Sequence, residues 1–205
     1  MAGQPDKITG ILLAGGKSSR MGREKGGIEI GDRTLLRNGL DILEKCCDEI
    51  LVSTCTGLPE VDGYTQVCDE IRDIGPMGGV FTCLRYSNSN RNLVLSYDMP
   101  LVNSDLLFRL LDEAQEADLV VPALGDGWPE PLCAMYRKST METLSKLIEK
   151  GNYAMHDLYA LVRTRVLRIG PGSPGFHPDL FLNVNRPEDL KRYFSILNDD
   201  AEARK

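Results

Sequence analysis

Short apolar runs alternate along the chain with stretches in which apolar residues recur at helical spacing. Ile8–Ala14 is a mostly apolar run that ends in Gly15-Gly16, the pattern of a buried strand followed by a turn. Between Leu36 and Cys47, apolar residues recur at intervals of four, three and four, which predicts a helix with one apolar face. The chain therefore opens with a predicted strand, a glycine-rich loop and a helix.

The same alternation continues to the end of the chain. Further strands are predicted at Glu49–Thr54, Tyr64–Cys68, Asn92–Tyr97, Ala117–Pro122, Leu132–Tyr136, Arg165–Ile169 and Leu180–Val184. Further helices are predicted at Val80–Tyr86, Leu106–Ala114, Met141–Glu149, Met155–Leu161 and Pro187–Leu197. Gly151 is placed to end the helix at Glu149, because glycine readily adopts the left-handed conformation that follows a helix.

This order of elements predicts the fold class. Alternation of strands and helices in one unit of 205 residues indicates a single domain, residues 1–205, with three layers around a doubly wound, mostly parallel α/β sheet. We expect flexible ends at residues 1–6 and 199–205. Such sheets bind ligands at the carboxyl ends of their strands. The segments Gly15–Lys25 and Asp98–Pro100 are therefore expected to share one crevice.

Composition narrows the class of partner. Hydrophobic residues make up 42% and charged residues 26% of the chain, as in ordinary soluble domains. The formal net charge of −6 disfavours nucleic acid or an anionic membrane as the main partner. No apolar run approaches the roughly 20 residues of a membrane helix, and the first ten residues lack the apolar core of a signal peptide. These features predict a cytoplasmic protein.

The cysteines do not form a recognisable metal or redox motif. Six of them are scattered along the chain, at Cys46, Cys47, Cys55, Cys68, Cys83 and Cys133. None of them is spaced as C-x-x-C, and the chain has only two histidines, so a structural zinc site is disfavoured. We predict free thiols in the core of a protein from a reducing compartment.

The loop Leu13–Lys25 concentrates positive charge in an acidic protein. Its basic residues are Lys17, Arg20, Arg23 and Lys25, against Glu24 as the one acidic residue. Glycines let a backbone pass close to a ligand, and the loop N–H groups with the hydroxyls of Ser18 and Ser19 can hold phosphate oxygens. Arg20 and Lys25 supply charge that suits a polyphosphate. The loop fits neither the Walker pattern nor the dinucleotide pattern, which disfavours an ATPase or a dehydrogenase.

The same loop, L-A-G-G-K-S-S-R-M-G-R-E-K, resembles the signature of the molybdenum cofactor guanylyltransferases. This family lies within the nucleotidyltransferase superfamily, which includes the sugar-phosphate nucleotidyltransferases. Four later segments resemble motifs of the same family in the same order: Asp69 with Gly75–Gly79, Asp98–Pro100, Glu130–Leu132 and Asn183–Leu190. The resemblance covers most of the chain and implies a Rossmann-like nucleotidyltransferase fold.

The resemblance also implies a reaction and a set of catalytic residues. The phosphate of molybdopterin attacks the α-phosphorus of GTP, pyrophosphate leaves, and a guanine dinucleotide form of the cofactor results. Arg20 and Lys25 are expected to neutralise the triphosphate and the departing pyrophosphate. Asp98, at a strand end, is expected to hold Mg²⁺, which prefers carboxylate and phosphate oxygens. The alternative for Asp98 is a turn residue ahead of Pro100.

Further positions are expected to bind the nucleotide and the acceptor. The resemblance places Leu13, Ala14, Gly15, Gly16, Ser18, Lys25, Asp69, Gly78 and Asp98 around the nucleotide. Asp73 competes with Asp69 for the nucleotide-side role. Asn183 and Asn185 are candidates for orienting phosphate or pterin, although Asn185 could equally cap the helix at Pro187. Residues 150–161 are a candidate wall of the pterin site. We expect His156 and Trp128 to be partly buried or otherwise satisfied and assign them no role.

The implied partners are GTP and molybdopterin, with proteins that supply molybdopterin or insert the finished cofactor as further candidates. Several alternatives remain at this point. A cytidylyltransferase for the same pterin usually carries alanine at the position of Gly15, so the glycine favours guanine. A sugar-1-phosphate or methylerythritol-type nucleotidyltransferase is a more distant alternative. A non-catalytic nucleotide-binding protein or a cofactor-delivery protein belongs to a different class, and the presence of Arg20, Lys25 and Asp98 disfavours the first of these.

Overall fold

A seven-stranded sheet forms the centre of the protein in the computed structural model, which describes residues 7–15, 27–55 and 61–203. The strands are β1 (Ile8–Leu13), β2 (Glu29–Ile30), β3 (Arg33–Thr34), β4 (Glu49–Ser53), β5 (Thr65–Val67), β6 (Arg91–Ser96), β7 (Leu119–Leu124), β8 (Cys133–Arg137) and β9 (Thr164–Ile169). The helices are α1 (Leu35–Leu43), α2 (Pro76–Tyr86), α3 (Ser104–Asp112), α4 (Thr140–Glu149) and α5 (Pro187–Ala203), with a 3-10 helix at Met155–Ala160.

The strand directions bring most of the strand ends to one edge. The sheet has the order β5-β4-β1-β6-β8-β7-β9, and β8 is antiparallel to both of its neighbours. The other strands of this sheet therefore all end at the same edge, which we call the carboxyl edge, and β8 begins there. The predicted doubly wound, mostly parallel α/β sheet is confirmed.

Two apolar clusters cover the two faces of the sheet. Along β1, Leu12 belongs to one cluster, with the buried residues of α1 and α3. Ile11 and Leu13 belong to the other cluster, with the buried residues of α2 and α4. Side chains alternate across a strand, so a strand that is buried on both faces must be apolar at nearly every position, as β1 is. The three layers follow from this burial.

Several elements differ from the prediction. The predicted strand at Leu180–Val184 is wrong: Leu180 and Val184 are buried, but the Leu180 N–H bonds within a turn, to the carbonyl of His177. An apolar run forms a strand only where another strand offers backbone partners. The short antiparallel pair β2 and β3 was not predicted, because two-residue strands carry no detectable period. Helix α5 continues to Ala203, past the predicted end at Leu197.

The prediction that all cysteines are free is wrong for two of them. Cys55 and Cys68 form a disulfide at the carboxyl edge, where β4 and β5 end side by side, with their Cα atoms 4.5 Å apart. Both residues are exposed, whereas the free cysteines Cys46, Cys83 and Cys133 are buried and Cys47 is half-buried. Burial raises the pKa of the Cys46 thiol to about 11 and that of the Cys83 thiol to about 12.

Within the described ranges, no helix combines the length and the apolar character that crossing a bilayer requires.

Candidate active site

The carboxyl ends of β1 and β6 bring the start of the glycine-rich loop beside the Asp98 segment. Leu13 pairs with Ser96 in the parallel ladder, and the Tyr97 N–H donates to the Leu13 carbonyl at 3.3 Å. On the other side of β1, the Ala14 N–H donates to the Ser53 carbonyl at 3.0 Å. Leu13 therefore lies beside the start of the Asp98 segment. Of the predicted crevice segment Gly15–Lys25, only Gly15 is among the described residues, so the shared crevice stays a prediction. Gly16, Ser18, Arg20 and Lys25 lie outside the described residues.

Asp98 is held in the tight turn that follows β6. Its side chain is half-buried, and the Ser96 hydroxyl donates to Asp98 Oδ1 at 2.6 Å. The Met99 N–H closes the turn on the Ser96 carbonyl at 3.3 Å. The turn fixes the position of the Asp98 carboxylate at the carboxyl edge.

Asp69 lies on the opposite side of β1, where β4 and β5 end. The buried Ser53 hydroxyl donates to Asp69 Oδ1 at 2.8 Å. A Cβ atom on Gly79 would lie 2.7 Å from Ser53 Oγ and 3.4 Å from Asp69 Oδ1, so only glycine lets α2 approach this pair closely. The competing residue, Asp73, is exposed and has a left-handed φ of 63°. The observed geometry thus gives Asp69 a fixed position beside the strand ends.

Gly78 allows a second close approach. A Cβ atom there would lie 2.6 Å from the backbone carbonyl oxygen of Ile71 and 3.2 Å from the Ile74 side chain. Gly78 thereby lets the first turn of α2 pack against the segment that follows Asp69. The prediction that Gly78 permits a close backbone approach holds for the protein's own backbone, and its role toward a nucleotide stays a prediction.

The C-terminal segment that carries Asn183 and Asn185, which we call the asparagine segment, also reaches Asp98. The Val184 N–H donates to the Asp98 carbonyl at 2.8 Å, which places Asn183 and Asn185 on either side of this bond. The Asn183 amide donates to the Phe181 carbonyl at 3.1 Å. At the start of α5, Asp189 is the capping acceptor: its Oδ2 accepts from the backbone N–H groups of Asn185 and Arg186, each at 2.9 Å.

Glu130 is a further neighbour of this site, and no role was predicted for it from the sequence. The Leu132 N–H donates to Glu130 Oε1 at 3.0 Å, and the Ser96 N–H donates to the Leu132 carbonyl at 2.7 Å. Burial raises the pKa of the Glu130 carboxyl, and the negative charge of Asp98 raises it further. The motif Glu130–Leu132 could have pointed to Glu130 as a site residue. Only the fold shows that the Glu130 carboxyl is close enough to Asp98 for the charge of Asp98 to raise its pKa.

Trp128 is also placed differently from the prediction. It is 90% exposed, so the expectation of a partly buried residue is wrong. It lies in the loop between β7 and β8, which starts and ends at the carboxyl edge. The Tyr159 hydroxyl donates to the Pro129 carbonyl at 3.5 Å, so the 3-10 helix in the candidate wall, residues 150–161, packs beside this loop. His156 lies on the surface, with its Nε2 3.1 Å from Asp157 Oδ1.

Two further observations concern metal and ligand sites. Within the described ranges, no group of three or more His, Cys, Asp or Glu side chains is arranged to hold a metal ion. A cavity of about 660 Å³, lined by residues that include Glu113, Glu116, Arg163 and Arg165, opens where α3 ends and β9 begins. This is the edge opposite Asp98, so we assign the cavity no part in the site.

Comparison with known proteins agrees with this geometry. Residues 10–166 match the MobA-like NTP transferase domain. The chain is 30% identical to a probable molybdenum cofactor guanylyltransferase of Halalkalibacterium halodurans, over 92% of this chain and 98% of that protein. It is similar to the crystal structure of molybdopterin-guanine dinucleotide biosynthesis protein A from Archaeoglobus fulgidus, with a TM-score of 0.74, 25% identity, and coverage of 93% of this chain and 99% of that one.

A Mycobacterium tuberculosis protein, crystallised in complex with manganese, shares the fold. Its TM-score is 0.65 at 19% identity, with coverage of 92% of this chain and 98% of that one.

Proposed function

The chain belongs to the family of MobA-like NTP transferase domains, and from this premise we propose that it is a molybdenum cofactor guanylyltransferase that uses GTP and molybdopterin. The observation that carries the proposal is the convergence at Asp98. The start of the glycine-rich loop and the asparagine segment meet beside it, through the bonds of Tyr97 to Leu13 and of Val184 to Asp98. A nucleotide and an acceptor must meet at such a point for one to be transferred to the other.

The reaction is an in-line displacement at phosphorus. An oxygen of the acceptor phosphate attacks the α-phosphorus of GTP and forms the new P–O bond. The bond from the α-phosphorus to the oxygen that bridges to the β-phosphorus breaks, and pyrophosphate leaves with that electron pair. Such a transfer depends on positioning and charge neutralisation more than on a covalent protein nucleophile. A site built from glycines, carboxylates and loop cations suits these requirements.

On the nucleotide side, we propose that backbone groups of Leu13, Ala14 and Gly15 bind the base. From the sequence alone, we assign Gly16 and Ser18 to binding the phosphates and Arg20 and Lys25 to neutralising the triphosphate. Asp69 and Gly78 complete the nucleotide side. The hydrogen bond from Ser53 supports the nucleotide-binding role of Asp69, because it holds the Asp69 carboxylate in one orientation.

Asp98 is the proposed ligand of a divalent metal ion, Mg²⁺ by preference. Its half-buried carboxylate, oriented by the Ser96 hydroxyl, supplies the hard oxygen donors that this ion favours. Mg²⁺ is commonly held by one or two carboxylates together with substrate phosphates and water, which fits a single fixed aspartate. When bound, the ion neutralises charge on the triphosphate and orients its α-phosphorus. Ser96 positions Asp98 for this role.

On the acceptor side, we assign Asn183 and Asn185 to orienting the phosphate or the pterin. Proteins that supply molybdopterin or receive the finished dinucleotide are further proposed partners. We also propose a cytoplasmic location, because the reaction consumes a nucleoside triphosphate.

Calorimetry and a turnover assay test the proposal. GTP, CTP and ATP are titrated into the protein with Mg²⁺ or Mn²⁺, and pyrophosphate release is then followed with molybdopterin. We expect selective GTP binding that Lys25→Ala weakens, and pyrophosphate release only when both substrates are present. Preference for CTP would instead indicate a cytidylyltransferase for the same pterin. The absence of turnover with any nucleotide, despite binding, would refute the enzyme assignment.

Gly15→Ala gives a sharper test of base preference. A Cβ at Gly15 would lie 3.7 Å from the Ser53 carbonyl, an ordinary contact, so the variant should fold. We expect it to lose preference for GTP over CTP, because alanine is usual there in the cytidylyltransferases that this family resembles. An unchanged GTP/CTP affinity ratio would remove Gly15 from the base site.

A further inference from the structure

The loop of residues 125–132 lies along the carboxyl edge of the sheet. Strand β7 is parallel to β6 and ends at this edge, and β8 runs in the opposite direction and begins there. The far end of the loop is joined to the Asp98 segment, because the Leu132 carbonyl accepts from the Ser96 N–H and the Ser96 hydroxyl bonds to Asp98. The loop therefore borders the proposed reaction centre.

Trp128, in the middle of this loop, is the most exposed of the large hydrophobic side chains in the described part of the chain, at 90%. An indole ring has a large apolar face, and a side chain of this kind is normally covered. The residues before it, from Gly125 to Gly127, are small or polar and are also exposed. Between Gly125 and Trp128, the exposed apolar surface of the loop is thus confined to the indole ring.

Hydrogen bonds to backbone carbonyl groups hold the loop on both sides of Trp128. Arg168, on the edge strand β9, donates from Nη1 to the carbonyls of Gly125 and Gly127, at 2.9 and 3.1 Å. On the other side, the Glu130 N–H donates to the Pro122 carbonyl at 2.8 Å. The ring is therefore presented on a loop whose backbone is fixed, and a fixed platform loses little entropy when a ligand covers it.

We propose that Trp128 stacks on the flat heterocyclic ring of the acceptor and forms the pterin platform of the site. The proposal rests on the proposed function, which requires a planar, nitrogen-rich ring to bind close to Asp98. Indole faces stack well on such rings, as they do on nucleobases. A protein partner is the alternative occupant, but stable protein interfaces need an extended surface of roughly 800 Å² on each side with an apolar core, and the exposed loop residues before Trp128 are small or polar.

Matched variants test the platform by direct binding. Trp128→Ala and Trp128→Phe are compared with wild type by calorimetry, using 6-hydroxymethylpterin phosphate as the probe. Tyr86→Ala serves as the control, because Tyr86 is also an exposed aromatic residue but ends α2 at the opposite edge of the sheet. We expect Trp128→Ala to weaken pterin binding about tenfold or more, Trp128→Phe to retain most of it, and Tyr86→Ala to change nothing. GTP affinity should be unchanged in all three variants.

Fluorescence gives an independent measurement, because Trp128 is the only tryptophan in the chain. Exposed indole is quenched efficiently by acrylamide, and a ring stacked on it blocks the collisions. We expect the pterin probe to lower the acrylamide quenching constant of the wild-type protein severalfold, whereas GTP with Mg²⁺ leaves it nearly unchanged. Energy transfer to the pterin shortens the excited-state lifetime and so lowers this constant by itself. The quenching constant is therefore divided by the lifetime measured without acrylamide, and only a fall in the resulting bimolecular quenching rate reports that the ring is covered.

The proposal is overturned if the wild-type protein does not bind the probe at millimolar concentration, or if Trp128→Ala binds it within twofold of wild type. It is also overturned if Trp128→Ala has a normal KM for free molybdopterin and is impaired only when a carrier protein delivers the acceptor, which would assign Trp128 to a protein interface. Failure of the proposed guanylyl transfer gives a different result from failure of the pterin platform. In that case the wild-type protein releases no pyrophosphate but still binds the pterin probe.

Discussion

The Val184 N–H donates a hydrogen bond of 2.8 Å to the carbonyl oxygen of Asp98. This bond joins the turn after β6 to the segment that enters α5, although the two lie far apart in the sequence. It uses only backbone atoms, so it leaves the Asp98 carboxylate available for a metal ion. It also means that changes to the Asp98 side chain need not disturb the asparagine segment.

Asp98→Asn should abolish turnover while sparing the fold. Asparagine keeps an Oδ1 acceptor for the Ser96 hydroxyl and keeps the backbone bond to Val184, but it loses the charge that holds a divalent ion. We expect pyrophosphate release to fall by at least about 100-fold, with a melting temperature close to that of wild type. Asp105→Asn, an exposed change in the first turn of α3, is the control. Substantial Mg²⁺-dependent turnover in the Asp98→Asn protein would refute the metal role.

Ser53→Ala should weaken GTP binding without abolishing it. The Ser53 hydroxyl fixes the Asp69 carboxylate, so its removal leaves the charge in place but frees its orientation. We expect GTP affinity to fall by about three- to tenfold, and Asp69→Ala to reduce it further. In a double-mutant cycle, Ser53→Ala should have little effect once Asp69 is alanine. Additive effects would show that Ser53 acts independently of Asp69.

Gly78→Ala should destabilise the protein by about 2 kcal/mol, because the added methyl group would overlap the Ile71 carbonyl oxygen at 2.6 Å. Gly170→Ala is the matched control, since a Cβ there meets nothing within 4 Å. Urea unfolding of both variants measures the difference. Equal stabilities would indicate that the first turn of α2 shifts freely, which would contradict the close approach of Gly78 to the Ile71 carbonyl.

Glu130→Gln should stabilise the protein at neutral pH. The pKa of Glu130 is raised in the folded chain, so the folded state favours the protonated carboxyl and loses stability as the pH rises from the ordinary value of 4.5 through the folded pKa. Glutamine keeps the acceptor for the Leu132 N–H and removes the charge. We expect the free energy of unfolding to rise at pH 7, and this gain to disappear below pH 4.5.

Glu142→Gln is the control for that pH dependence. The ion pair with Lys146 lowers the pKa of the exposed Glu142 carboxyl, so this substitution should give no gain at neutral pH. A stabilisation of Glu130→Gln that is equal at pH 4 and pH 7 would show that packing, and not charge, is responsible.

Reduction of the Cys55–Cys68 disulfide should lower the free energy of unfolding by about 3 kcal/mol, as expected for a closed loop of this length in the chain-entropy model, with a sequence separation of 13. Alkylation of the denatured, unreduced protein should modify four of the six cysteines. Because Cys68 precedes Asp69, GTP binding should also weaken on reduction. The double variant Cys55→Ser, Cys68→Ser should not respond to reductant, and six modified cysteines before reduction would rule out the disulfide.

Local pattern was enough to predict most of the architecture. Strand β1 was found because burial on both faces requires a mostly apolar run, and helix α1 because burial on one face requires apolar residues at helical spacing. Leu180–Val184 was mistaken for a strand because the pattern records burial but not the partner of each backbone group. The end of α5 was predicted too early because its last residues carry no apolar face. The pair β2 and β3 was missed because two-residue strands are too short to show a period.

The sequence by itself determined the fold class, the family resemblance, the positions of Asp69 and Asp98 after strands and that of Asn185 at a helix entry. These follow from local order along the chain. Only the tertiary structure decided that β4 and β5 bring Cys55 and Cys68 within bonding distance. It also decided that the charge of Asp98 raises the pKa of Glu130, and that Trp128 is exposed on a fixed loop. Each of these depends on distances between segments that are remote in sequence, and such distances are set by the packing of the whole sheet.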